Sequence, residues 1–132
     1  MKKLTLILLG LCIWANADAQ SSTLRKKQFN QTNAVAIDGY DPVAYFTEHR
    51  AVKGLKTIAY TSLGVTYYFS SVEHKRMFMK NHTKYEPQYG GWCASAMSDT
   101  GQKAQVDPNS FKIIDDKLYL FCQPQNMYSK ST

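Results

Sequence analysis

Tyr85-Glu86-Pro87-Gln88-Tyr89-Gly90-Gly91-Trp92-Cys93-Ala94-Ser95-Ala96-Met97 is the stretch around which the chain is organised. Aromatic residues flank a Gly-Gly pair, whose backbone is free to take positive φ or to approach a neighbour closely. The small residues at 94–96 then lead to Met97. Read as a short helix, this run puts Cys93 and Met97 at i and i+4 on one face. Two soft sulfur atoms pointing the same way suit copper(I) better than a hard cation. The plainer reading packs both into a core, where Cys and Met are common.

Upstream, the chain opens with Met1-Lys2-Lys3, an apolar run from Leu4 to Trp14 and then Ala17-Asp18-Ala19. This order of charged, apolar and small-x-small segments predicts a signal peptide over 1–19, cleaved after Ala19. The apolar run is too short to remain as a spanning anchor, so no transmembrane segment is expected after cleavage. An exported protein, periplasmic or secreted, is the expectation. Of 16 basic and 10 acidic residues the leader holds Lys2, Lys3 and Asp18, which leaves 14 and 9 and a net charge of +5. These bases are dispersed apart from Arg25-Lys26-Lys27, and no nucleic-acid motif is present, so the charge reads as a solvated surface. Export also places Cys93 and Cys122 where disulfides persist, which makes a Cys93–Cys122 bridge the direct competitor of a metal site.

Residues 20–33 are rich in Ser, Thr, Gln, Asn and Lys and read as a flexible linker. The domain is expected over 34–123, starting with the β-prone Ala34–Ile37. Asp41 before Pro42 reads as an N-cap followed by a first helical residue, opening one turn that buries Val43, Tyr45 or Phe46. A functional carboxylate is the alternative for Asp41. Residues 57–62 and 65–69 form a hairpin around Ser62-Leu63-Gly64. Ser70 with Glu73 fits a capping box that opens a helix reaching about His82. Along it His74, Met77, Phe78 and Asn81 share one face, while Lys75, Arg76 and Lys80 turn to water. His74 thus faces the apolar side, as a hydrogen-bonded core residue or as a ligand. A second hairpin joins 111–114 to 118–122 through Asp115-Asp116-Lys117, with Leu118, Leu120 and Cys122 on its inner face. Residues 124–132 read as a polar C-terminal tail.

The Tyr85-x-Pro87-x-Tyr89-Gly90-Gly91-Trp92-Cys93-Ala94 block, together with Gly39-Tyr40-Asp41-Pro42-Val43-Ala44-Tyr45-Phe46, resembles the YHS domain family. In particular it is similar to the stand-alone, exported YHS-domain proteins of bacteria. The likeness runs from about Ala34 to Gln123. It implies the fold and, for the family, a proposed metal-binding role with copper named for it; relatives occur in copper-transporting ATPases and some phenol hydroxylases. The family pattern centres on the cysteine at position 93, and it requires none at 122.

Enzyme motifs are missing from the sequence: no Gly-x-Ser-x-Gly, no phosphate loop, no His-Glu-x-x-His and no Cys-x-x-Cys. A thiol enzyme would need Cys93 activated by a base, for which His74 is the one attractive candidate. The expectation is therefore a small α+β domain with two β-hairpins packed on a central helix and a short second helix after the Gly-Gly motif. Its expected role is non-catalytic binding of a metal, with copper(I) the leading cofactor and Cys93, Met97, His74 and Cys122 the candidate ligands. Two alternatives stay open: a disulfide-stabilised module that binds another envelope protein, and a thiol-dependent enzyme. Tyr40, Asp41, Pro42, Tyr85, Pro87, Tyr89, Gly90, Gly91 and Trp92 are expected to serve the motif's structure.

Overall fold

The computed structural model describes residues 21–123. The expected leader at 1–19, the first residue of the expected linker, Gln20, and the expected tail at 124–132 lie outside the described residues. The fold is α+β, with two sheets joined through one core.

The clearest departure from expectation comes first. Residues 21–28 are helical (α1), and β1 (Gln31–Thr32) follows at once. The polar composition at 20–33 reads as linker because few of its residues are apolar. What orders the segment is distant: Arg25, Gln28 and Asn30 all bond to residues beyond position 60.

The larger sheet has the order β1-β2-β4-β3. β1 pairs antiparallel with β2 (Val35–Ala36), and β2 pairs parallel with β4 (Val65–Phe69) through Val35 and Thr66. β3 (Leu55–Ser62) and β4 form the first hairpin, with a register shift between Leu55 and Ala59. β4 alternates strictly, burying Val65, Tyr67 and Phe69, as the period of a strand with one covered face demands. Between β2 and β3 lie a tight turn at Ile37–Gly39 and the short α2 (Ala44–Thr47).

α3 (Val72–Lys80) covers the first hairpin. Phe78, fully buried, meets the rings of Tyr60, Tyr67 and Phe69 at centroid distances of 6.2, 4.7 and 5.2 Å. Burying such a ring contributes about 1.5–3 kcal/mol. The helix cap differs from expectation by one residue. Ser71, not Ser70, accepts the His74 amide at 3.1 Å, because Ser70 is drawn to Asp41. The helix also ends earlier than expected. Asn81 leaves helical geometry (φ −152°) and is exposed, and His82 instead begins a new turn, α4 (His82–Tyr85).

After the motif comes α5 (Ala94–Thr100), closed by Gly101 in the left-handed region. β5 (Asp107–Ile114) and β6 (Lys117–Phe121) form the second hairpin. Asp115 and Asp116, both at positive φ (51° and 60°), make its two-residue turn, the geometry that matches strand twist. Leu118 and Leu120 enter the same core cluster as Phe78, and this hairpin packs on the motif, α4 and α5.

Candidate functional site

The Gly-Gly motif is built as a left-handed turn. Tyr89, Gly90 and Gly91 take φ of 55°, 61° and 82° in succession. Glycine adopts this without penalty; Tyr89 does not, and it is held there by its surroundings at a cost of order 1 kcal/mol. The turn presents backbone rather than side chain to residues 28–30. A Cβ on Gly90 would stand 3.3 Å from both the Gln28 carbonyl oxygen and Phe29 Cα. The Asn30 amide donates to the Gly90 carbonyl at 2.8 Å, and Asn30 Nδ2 donates to the Gly91 carbonyl at 3.1 Å. Trp92 Nε1 donates to the Gln28 carbonyl at 2.6 Å. Missing side chains thus make room for a strand of main chain, and neighbouring donors and acceptors hold it.

One charged cluster anchors the same segment. Glu86 is buried, and its Oε2 accepts from Arg25 at 2.8 Å and from the Tyr67 hydroxyl at 2.8 Å. Arg25 also lies over the Phe29 ring at 4.4 Å and donates to the Leu63 carbonyl at 3.2 Å. Burial, reinforced by the neighbouring Glu86 carboxylate, holds the Tyr67 phenol well above its ordinary pKa. His82 Nε2 lies 3.7 Å from the other oxygen of Glu86.

The remaining motif residues divide by burial. Tyr85 is buried with its ring edge-on to Phe46, Pro87 is buried under Gly91, and Tyr89 is exposed beside Tyr119. Tyr40 bridges in backbone to Lys53, and Pro42 is fully buried.

Cys93 and Cys122 form a disulfide, with Cα atoms 5.2 Å apart. Cys93 is not in α5 but caps its start, and its carbonyl accepts the Met97 amide at 3.0 Å. The expected i, i+4 spacing is therefore present in the backbone, while the Cys93 sulfur turns to β6 instead. The Cys122 amide donates to that sulfur at 3.0 Å, and the Ser95 hydroxyl lies 3.3 Å from it. A copper(I) site needs thiolate, and a disulfide offers none. In this form Cys93 and Cys122 are bonded to each other, and His74 lies against Asp41. Among the described residues, no group of three or more His, Cys, Asp or Glu could hold a metal ion.

His74 belongs to a different centre. It does not activate Cys93, whose sulfur is bonded to Cys122. Asp41, with no exposed surface, is the hub of that centre. Its Oδ1 accepts the Val43 and Ala44 amides at 2.8 and 3.3 Å, which is the capping role expected before Pro42. Its Oδ2 accepts the Ser70 amide at 2.8 Å, the Ser70 hydroxyl at 2.6 Å and His74 Nδ1 at 2.7 Å. The expected amide-accepting role is present, although α2 begins at Ala44 and not at Pro42, and it covers only half of this carboxylate. Sequence reasoning missed Arg25, Gln28, Asn30, Thr47 and Ser70 as site residues. The one aromatic in that largely polar run, Phe29, was the local hint.

No family model, curated protein or solved structure matches the chain.

Proposed function

We propose that this chain is an exported, disulfide-stabilised interaction module of the YHS type, non-catalytic at its Gly-Gly motif, which holds an extended peptide segment. The observation that carries this reading is the docking of main chain at 28–30 along Gly90, Gly91 and Trp92. The chain's own segment takes that place here. A partner in the cell envelope would offer the same chemistry: a basic side chain for Glu86, then an extended stretch whose amides and carbonyls meet the turn. The disulfide supports the reading because it fixes the motif to β6. The leader and the YHS likeness support export and the module class.

The test uses Trp92, the one tryptophan left when residues 1–19 are removed. In mature protein carrying Arg25→Glu and Asn30→Ala, the segment is expected to leave the turn and Trp92 emission to shift to the red. A synthetic peptide of residues 21–30 should then bind and reverse the shift. Failure of the peptide to bind the opened protein rejects the reading.

Metal binding by a reduced form is the second reading, favoured by the adjacency of the Cys93 and Cys122 sulfurs and by the YHS likeness. Competition with a copper(I) chelator under anaerobic, reducing conditions tests it. Cys93→Ser should abolish binding and Met97→Leu should weaken it, with Cys122→Ser reporting whether the second sulfur takes part. Binding of Cys93→Ser as tight as wild type removes this reading.

A further inference from the structure

The centre around Asp41 and His74 has no part in the function proposed above, and its geometry has a direction. The Asp41 carboxylate can only accept, so the 2.7 Å contact assigns the hydrogen to His74 Nδ1. In the neutral imidazole, Nε2 is then the acceptor. It lies 3.2 Å from the Thr47 hydroxyl, on the last residue of α2. Thr47 is exposed, while the His74 side chain is only 14% exposed. Capping α2 does not require this arrangement, because Oδ1 alone serves the helix. Ser70 adds two donors to Oδ2 and leaves that oxygen no freedom to turn away. The order is buried carboxylate, oriented imidazole, accessible hydroxyl, the arrangement by which a base activates a nucleophile. Among the described residues the Thr47 hydroxyl has one other acceptor, the Val43 carbonyl at 3.3 Å, a contact at the long end of the hydrogen-bond range.

We propose that Thr47 is an acyl-acceptor site, a hydroxyl that takes an acyl group from an activated ester or thioester. His74 is the base and Asp41 the positioning residue. Thr47 Oγ1 forms a bond to the acyl carbon while His74 Nε2 takes its proton. The bond from that carbon to the departing oxygen or sulfur breaks, and the leaving group carries away the proton held by His74. The product is an ester on Thr47, with no oxidant or metal required.

The probe is p-nitrophenyl acetate with the mature, disulfide-bonded protein, read by nitrophenolate release and by mass mapping of the acetylated peptide. One acetyl group on Thr47 is expected. Thr47→Ala should lose it and Thr47→Ser should keep it. A positioned base contributes 10²–10⁴ in rate, so His74→Gln should slow acetylation about 100-fold. Asp41→Asn should slow it similarly, since an amide can donate to Nδ1 and leave the hydrogen on Nε2. Added imidazole should restore both of these variants and not Thr47→Ala, an outcome that mere loss of structure would not produce. Acetylation confined to lysines or tyrosines, or His74→Gln reacting as fast as wild type, overturns the proposal. Because Asp41→Asn is the variant at risk of misfolding, the His74 and Thr47 variants decide alone if it does. Binding of the 21–30 peptide to the opened protein should be unchanged by Thr47→Ala, so the two proposals fail separately.

Discussion

The indole N–H of Trp92 donates to the Gln28 carbonyl at 2.6 Å across 64 positions of sequence. A side chain of the central motif thereby satisfies backbone at the end of α1. Trp92→Phe keeps most of the ring and deletes the donor. It is expected to lower stability by about 1 kcal/mol. It should also speed amide hydrogen exchange at residues 29–31 more than in β4. Unchanged exchange at those amides would show that the indole does not hold the segment.

Gly90→Val and Gly91→Val should each destabilise the domain by roughly 1–3 kcal/mol, because both residues sit at positive φ. At Gly90 the new side chain also meets Gln28 and Phe29 backbone, so it should expose Trp92 as well. Lys80→Ala, at an exposed position, should stay within about 0.5 kcal/mol. Equal melting temperatures for the three variants would contradict the geometry described above.

The Cys93–Cys122 bridge spans 29 positions. Closing a loop of that size in the unfolded chain is worth about 3–4 kcal/mol in the chain-entropy description. Protein lacking residues 1–19, and with them Cys12, should show no free thiol, and reduction should lower the urea midpoint accordingly. Titratable thiols at both positions in protein isolated without reductant would refute the pairing.

Alkaline pH should unfold this domain in a defined way. Tyr45 and Tyr67 are both fully buried. Burial pushes each phenol well above its ordinary pKa, with Tyr40, Asp107 and Asp41 adding at Tyr45 and Glu86 adding at Tyr67. Folded pKa values above the unfolded ones mean that the folded state keeps protons the unfolded state releases. Their contribution is therefore complete below about pH 10 and is lost as pH rises beyond it, at about 1.4 kcal/mol per pH unit per phenol. Tyr45→Phe and Tyr67→Phe should each flatten that fall, although Tyr45→Phe also deletes the 2.8 Å bond to the Pro108 carbonyl. Parallel stability–pH curves for wild type and both variants would refute the assignment.

The parts legible in the sequence are those whose signal is local. Alternation in Val65–Phe69 and Leu118–Cys122 marks buried strand faces, and the two hairpins stand where that pattern puts them. Asp41 before Pro42 marks a cap. What was not legible depends on pairs far apart in the chain. The polar run at 21–30 looks unstructured until Glu86 and the Gly-Gly turn are brought to it. Ser70 and Ser71 are equivalent as caps on paper, and only the approach of Asp41 separates them. The His74 side chain is largely buried against Asp41, but the helical period names a face and not a partner. It could not distinguish a sulfur at 93 from a carboxylate at 41.

The strap formed by residues 21–30 also sets an order of events. Arg25 and Asn30 each bond to a residue 61 positions later, so the part of the domain synthesised first is satisfied only after the motif exists. Sheet and helices can condense around Phe78 while the leading segment is still unattached. Loop closure of this length makes the docking non-local, and non-local contacts are gained late and slowly. A chain that emerges head-first presents its strap before its receptor, and the strap can dock only when the motif has followed.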